Sequence, residues 1–373
     1  MLDVATFLST LYVLADEYVE AALPPDPPPG PAAALSRSEV LTLASVGQWR
    51  RFESERAFYR SARSATRHWR ACFPTLPRRS QCNRWLRRHR AARAAFGLAV
   101  AQRPAVRTGR DGLYEALDGT AAPVRPSGRR GHGWLAGPAD QGWSTHLGWY
   151  WGLRVLATGT PGGASTGFGV GPASANERPL AAACFATRQG VRLPPGTPPP
   201  PPRPPVPWVG QPVGGATTQA AGSTEVLYAT ATSTPGCAGA DAHARWAALY
   251  GVRVICPPKR SAAPRRPGSR PKQQWPGRWR RWLAGLRPIV ATGFATLQPP
   301  CRLLDERPHD LTGFLARLAA NLALHNCCLS LHCTLGRAAR LCPPHRLALN
   351  LAPPQLTPNV AAPLRWEGHR QRP

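Results

Sequence analysis

Acidic side chains and lysine are the scarce residues of this chain. Of 47 Lys plus Arg residues only Lys259 and Lys272 are lysines, and 19 Asp plus Glu leave a formal net charge of +28 over 373 residues. A surface so poorly supplied with acids cannot neutralise itself, so a polyanionic partner is expected, DNA or RNA first. The loading with Ala, Pro and Gly, as in a GC-rich genome, accounts for arginine over lysine but not for the shortage of acids. Membrane-length apolar runs of about 20 residues are not evident, which argues against a membrane partner. A secretory leader is not evident either: Met1-Leu2-Asp3-Val4 carries no basic segment, and Asp16-Glu17 interrupts the first apolar run. Ten cysteines in a chain this long, without paired spacing, point to a reducing, cytoplasmic compartment. Cys327, Cys328, Cys333 and Cys342 lie near His325, His332 and His345. Adjacent cysteines rarely share one tetrahedral site, so buried helical cysteines are expected there rather than zinc.

Helical periodicity dominates the first hundred residues. Val4, Phe7, Leu8, Leu11, Leu14, Ala15 and Tyr18 recur at helical spacing over 3–22, and a proline run at 24–31 ends that helix. Ser36-Arg37-Ser38-Glu39 reads as a capping box opening a helix from Arg37 to about Trp49. A third helix is expected over Ser54–Trp69 and a fourth over Gln81–Ala101, entered through Arg78 and Arg79. Arg84, Arg87, Arg88, Arg90 and Arg93 line the fourth, and no acid intervenes between Glu55 and Asp111. Short helices followed by an arginine-lined one suit phosphate contact, so residues 1–105 read as a helical DNA-binding region.

The stretch from Tyr114 to Leu180 changes period. Tyr114-Glu115-Ala116-Leu117-Asp118-Gly119-Thr120, Gly148-Trp149-Tyr150-Trp151-Gly152-Leu153 and Thr166-Gly167-Phe168-Gly169-Val170 read as three short strands joined by Gly-rich, basic connections that include Arg129 and Arg130. A helix at 181–190 leads into a Pro-rich insertion, 191–222. A strand from Val226, a helix from Gly239, a strand from Val252 to Lys259, a basic, Pro-rich loop from Arg260 to Gly277, a basic helix with Arg278, Arg280 and Arg281, and helices over 307–341 follow. The tail, 343–373, loses periodicity and reads as disordered.

The wording around Asp118 and the order of elements resemble the DDE transposases of bacterial insertion sequences, the IS-four-like group. The resemblance implies a ribonuclease H-like mixed sheet flanked by helices over 112–342, five-stranded with Asp118 on its central strand, behind an all-α N-terminal region. It also implies a metal-dependent strand transferase in the bacterial cytoplasm, associated with the nucleoid. Its partners would be the double-stranded DNA of terminal inverted repeats and a second copy in a homodimer. Such a core holds two Mg²⁺ or Mn²⁺ ions with three carboxylates, because these hard cations take oxygen ligands.

Asp118 fills the first position. The second falls on Thr230 by strand continuity, or on Thr234 if the turn Gly236-Cys237-Ala238-Gly239 sets the alignment, and the third falls on Ala291. None of these three is a carboxylate. Glu225, Asp241, Asp305 and Glu306 are displaced along the chain, and Pro288 would cost the ligand-bearing helix roughly 3 kcal/mol. The sequence therefore reads as a transposase by ancestry that has lost catalysis. The alternative is a non-catalytic basic remnant occupying element ends. A nucleic-acid-coating protein outside transposition would need RNP-type aromatic strands or RGG repeats, which are lacking.

Overall fold

Ser36 and Glu39 close the expected capping box in the computed structural model. The Glu39 N–H donates to Ser36 Oγ at 3.1 Å and the Ser36 N–H to Glu39 Oε2 at 2.6 Å, which satisfies two of the open donors of a helix start. The structure describes residues 4–24, 34–48, 54–63, 72–103, 114–125, 135, 137–144, 147–192, 224–228, 239–256, 277, 281 and 310–336. The first helices are α1 (Val4–Ala22), α2 (Arg37–Val46), α3 (Glu55–Arg63), α4 (Arg79–Arg88) and α5 (Arg90–Ala101). Phe7, Leu8 and Leu11 of α1, Leu41 and Leu43 of α2 and Phe96 of α5 are buried together.

The single helix expected over Gln81–Ala101 is two. His89, at φ −93° and ψ 21°, ends α4, and its ring stacks on Trp85 with centroids 5.6 Å apart. The break turns Arg93 inward: its side chain, expected on the basic face, is only 3% exposed. The guanidinium donates to the Leu86 carbonyl, one of the acceptors that a helix end leaves without an intrahelical donor. Burial lowers the Arg93 pKa to about 10, against the opposing pull of Glu55.

The chain is mixed α/β, and among the described residues the sheet has six strands rather than five. These are β1 (Tyr114–Arg125), β2 (Asp140–Ser144), β3 (Gly148–Gly159), β4 (Ser165–Pro172), β5 (Thr224–Tyr228) and β6 (Val252–Ile255). β1 is central. It runs antiparallel to β3 on one side and parallel to β5 on the other, and β6 lies parallel beyond β5. The far edge of β3 is shared, β2 pairing with Gly148–Gly152 and β4 with Leu153–Gly159. β2 is the unexpected strand, since Asp-Gln-Gly-Trp-Ser offers only one large apolar residue. Gly142 admits it: a Cβ there would lie 2.5 Å from the Ala173 carbonyl oxygen.

Two helices form the crossovers to the parallel strands, α6 (Glu177–Arg192) between β4 and β5 and α7 (Ala240–Tyr250) between β5 and β6. They cover one sheet face, where Leu117 and Leu156 meet Leu180, Phe185 and Trp246. The opposite face carries Ala116, Ala122, Leu153, Val155 and Ala157 against Phe314, Leu318 and Leu322 of α8 (Leu311–Thr334).

Helix α8 holds the molecule together. Its first half packs on the sheet, and its second half places Ala323, Leu324, Cys327, Cys328 and Leu331 in the core of the N-terminal helices. It crosses α5 so closely that a Cβ on Gly97 would sit 2.8 Å from Ala323 Cα. By length and mean hydropathy it could cross a membrane, contrary to the expectation that no run would, yet 89% of that stretch is buried within the fold. Its polar residues Asn321, His325, Asn326, Ser330 and His332 are buried too. Burial also pushes the Cys327 thiol up in pKa, so it stays protonated.

His325 makes stability sensitive to acid. Its Nε2 lies 2.9 Å from the Gly163 carbonyl, a geometry that fixes the neutral tautomer with the proton on Nε2. Burial lowers its pKa, partly offset by that hydrogen bond. The unfolded state therefore binds the proton first as pH falls below about 6.5, and stability drops by at most about 1.4 kcal/mol per pH unit until the folded-state pKa is reached. Urea midpoints measured between about pH 7.5 and 5.5 should fall on acidification. In His325→Gln, which can still donate to Gly163, that part of the pH dependence should vanish.

Candidate nucleic-acid interface and carboxylate site

The exposed basic face belongs to α4. Arg84, Arg87 and Arg88 stand at i, i+3 and i+4, hence on one side of the helix, and all three are exposed, as are Arg78 and Arg79 at its start. Arg87 and Arg88 occupy the last turn, where the open carbonyls favour a cation. Arg88 lies over the Trp85 ring at 5.8 Å, which limits the wandering of its side chain. Arg87 Nη1 lies 3.9 Å from Asp310 Oδ2. Asp310 is the N-cap of α8, its Oδ1 accepting from the Gly313 N–H at 2.5 Å. Four residues on, Phe314 packs on the sheet, so α8 links the basic helix to the sheet face that holds Ala116 and Ala122.

Asp118 belongs to that same face by strand alternation. It pairs across the ladder with Ala157, is half-buried, and accepts the Gly119 N–H at 2.8 Å. It sits at a seam in the sheet. The last parallel pair between β1 and β5 is Leu117 with Tyr228, so Asp118 lies one residue beyond it, at the carboxyl end of β5. Crevices outside the carboxyl ends of parallel strands, where strand order reverses, are where open α/β sheets place ligands.

The neighbouring carboxylates are committed elsewhere. Glu115, three residues back, faces the other side of β1 and is fully buried. Thr166 Oγ1 lies 2.8 Å from its Oε2 and 2.9 Å from Thr158 Oγ1, which in turn meets Cys184 Sγ at 3.7 Å. With one proton per hydroxyl, this chain can run from the thiol to the carboxylate. Glu225 pairs with Tyr114, four residues along β1 from Asp118, roughly 13 Å at strand rise. Asp140 accepts from the Ser174 N–H at 2.8 Å and from the Ser174 hydroxyl. Glu177 lies 3.8 Å from Arg154, and Asp241 is exposed in the first turn of α7. Among the described residues no three His, Cys, Asp or Glu side chains come together in a way that could hold a metal ion.

No family model, curated protein or solved structure matches this chain. The assignment of roles therefore rests on the residues themselves. Arg281 is exposed and helical. Thr230, Thr234, Ala291, Arg129, Arg130, Lys259, Arg260, Arg278 and Arg280 lie outside the described residues, as do 193–222 of the Pro-rich insertion and the tail from 343. Two groups escaped sequence reasoning. Asn326 gives no local signal. Trp143 and Trp149 did: Trp149 and Trp151 alternate along one strand, and that period places them on one face.

Proposed function

We propose that this chain binds double-stranded DNA through the arginine face of α4 and descends from a DDE transposase whose catalysis is lost. The observation that carries the reading is the position of Asp118 on the central strand, at the seam between an antiparallel meander and the parallel strands. With β2 set aside, the order β4-β3-β1-β5-β6 and the helical crossovers α6 and α7 fit the ribonuclease H-like core that the resemblance implies. A charge of +28 and the acid-free α4 region supply the attraction to phosphate.

The described residues, together with the residue types at 230, 234 and 291, do not fit a pair of divalent cations. Two such ions held close together need several carboxylate oxygens to offset their repulsion. Asp118 supplies one carboxylate, while Glu115, Asp140 and Glu177 serve other partners. Threonine at position 230 or 234 offers a weak neutral ligand, and alanine at 291 offers none. DNA held here is therefore bound and left intact.

Mobility shift and cleavage on one labelled duplex test both halves of the reading. Purified full-length chain should shift the duplex, with non-specific Kd values on the order of 10⁻⁴–10⁻⁶ M at physiological salt and tighter values at its own ends. In Mg²⁺ or Mn²⁺ it should cut no more than Asp118→Ala does. Failure to bind duplex overturns the binding role. Metal-dependent cutting that disappears in Asp118→Ala overturns the loss of catalysis.

A further inference from the structure

We propose that the acidic side of α1 receives the arginine side of α4 from a second copy of this chain. Self-association then covers the helix assigned to DNA, and this regulatory part rests on the DNA-binding reading above. Among the described helices α1 alone carries acids, Asp16, Glu17 and Glu20, without a Lys, Arg or His. All three stand on its outward side with Val13, which is 50% exposed, while Phe7, Leu8, Leu11 and Ala15 face the core. Glu39 of α2 joins them. Burial raises the pKa of the Tyr12 hydroxyl, and Asp16, Glu39 and Glu20 raise it further, so three carboxylates gather round one point. The cations beside them are engaged: Arg103 lies 2.6 Å from Glu17, and Arg37 donates to the Pro24 carbonyl. In a lone copy this placing is unfavourable. Like charges four residues apart repel, and Glu20 occupies the last turn, where open carbonyls favour a cation and α1 supplies none.

Charge and spacing select the occupant. Asp16 and Glu20 are four residues apart, about 6 Å along the axis, and so are Arg84 and Arg88. Glu17 with Glu20 and Arg84 with Arg87 repeat the three-residue step, so two helices laid side by side bring each acid to an arginine. α4 carries no acid at all. One copy cannot make this match alone: Arg87 lies 3.9 Å from Asp310, Glu17 meets Arg103, and among the described residues no ion pair joins α1 to α4. The contact is weak and reversible. A net charge of +28 repels a second copy, and the local pairing prevails only within a Debye length, about 8 Å at physiological salt. Duplex DNA offers the same arginines an unbroken run of charge and the release of condensed cations, so it displaces α1 from α4.

Sedimentation of the full-length chain at about 0.1 M and about 1 M salt is the test. Wild type should associate at the lower salt and come apart at the higher. Glu17→Arg/Glu20→Arg and Arg84→Glu/Arg88→Glu should each weaken association at least about tenfold, and their equal mixture should restore it, because each variant then meets its complement. Glu20→Gln, which changes one exposed side chain, should weaken it severalfold and decides the matter if a double variant does not fold. Excess short duplex should release wild-type chain to single copies on DNA, and Glu17→Arg/Glu20→Arg should still bind that duplex. Wild type that is monomeric at both salts overturns the proposal and leaves α1 to a different basic partner. So do variants that associate as wild type does, a mixture of folded variants that stays apart, or duplex-bound chain whose association still depends on Glu17 and Glu20. Duplex binding by a monomeric chain leaves the DNA-binding reading standing alone. Association that the mixture restores in a chain that binds no duplex sinks that reading and keeps the contact between copies.

Discussion

Asn326→Leu should destabilise the fold by about 3–5 kcal/mol, more than removal of any other single polar side chain described here. Asn326 is fully buried on α8. Its Oδ1 accepts the Ser165 N–H at 3.0 Å, and its Nδ2 donates to the Ser165 carbonyl at 2.9 Å and to the Gly97 carbonyl at 2.7 Å. One amide thus ties the start of β4 and the middle of α5 to the helix shared by both cores. Leucine keeps the branched outline but its methyls are bulkier than the amide, so no cavity opens and the loss combines the unpaired backbone groups with some overpacking. Each buried backbone group left unpaired costs about 1–3 kcal/mol, and the Gly97 carbonyl, which also serves its own helix, contributes least. Water cannot readily repair the site, because Gly97 lies against the Ala323 backbone. The measurement is the urea midpoint at unchanged m-value. Asn326→Asp should also be costly, since it keeps the acceptor for Ser165 N–H but turns a second oxygen toward two carbonyls. A loss below about 1 kcal/mol for the leucine variant would mean that α5 and β4 separate from α8 at little cost, and that the two cores fold independently.

These same contacts mark the boundary of what sequence reasoning reaches. The capping box at Ser36 and Glu39, the helices near 4–22 and 240–250 and the strand carrying Asp118 were legible, because each follows from spacing within a few residues. Asn326 was not: its partners are 161 and 229 residues away, and no local period encodes them. Arg93 was misplaced because regular spacing was carried across His89, where stacking on Trp85 and the exposed Leu86 carbonyl end one helix and begin another. β2 was missed because a five-residue strand with glycine and serine has too little alternation to announce itself. Of the candidate site, the strand that carries Asp118 and the helix that carries Arg84, Arg87 and Arg88 were legible. That Glu115 turns away from Asp118 follows only once the strand is known, because alternation then puts the two acids on opposite faces.

Replacing Arg84, Arg87 and Arg88 together with alanine should lower the slope of log K against log salt by about two to three units on duplex DNA. The argument is counterion release. Each phosphate neutralised by an arginine frees condensed cations worth about 0.9 in that slope, and the three side chains lie on one exposed face where each can reach a different phosphate. They are not equal. Arg87 lies 3.9 Å from Asp310, an exposed carboxylate that competes with phosphate for it, so Arg87→Ala alone should change the slope less than Arg84→Ala. Arg88, steadied over Trp85, should behave like Arg84 and tolerate lysine poorly, because lysine lacks the planar stack. Arg103→Ala is the control: it removes the same charge from a side chain held 2.6 Å from Glu17, and the slope should stay as it is. Because phosphate contacts carry no sequence, the triple variant should weaken binding to all duplexes alike. An unchanged slope together with unchanged affinity would remove α4 from the interface. A loss confined to one duplex sequence would mean instead that the helix reads base edges, and the arginines would then be specificity determinants rather than phosphate clamps.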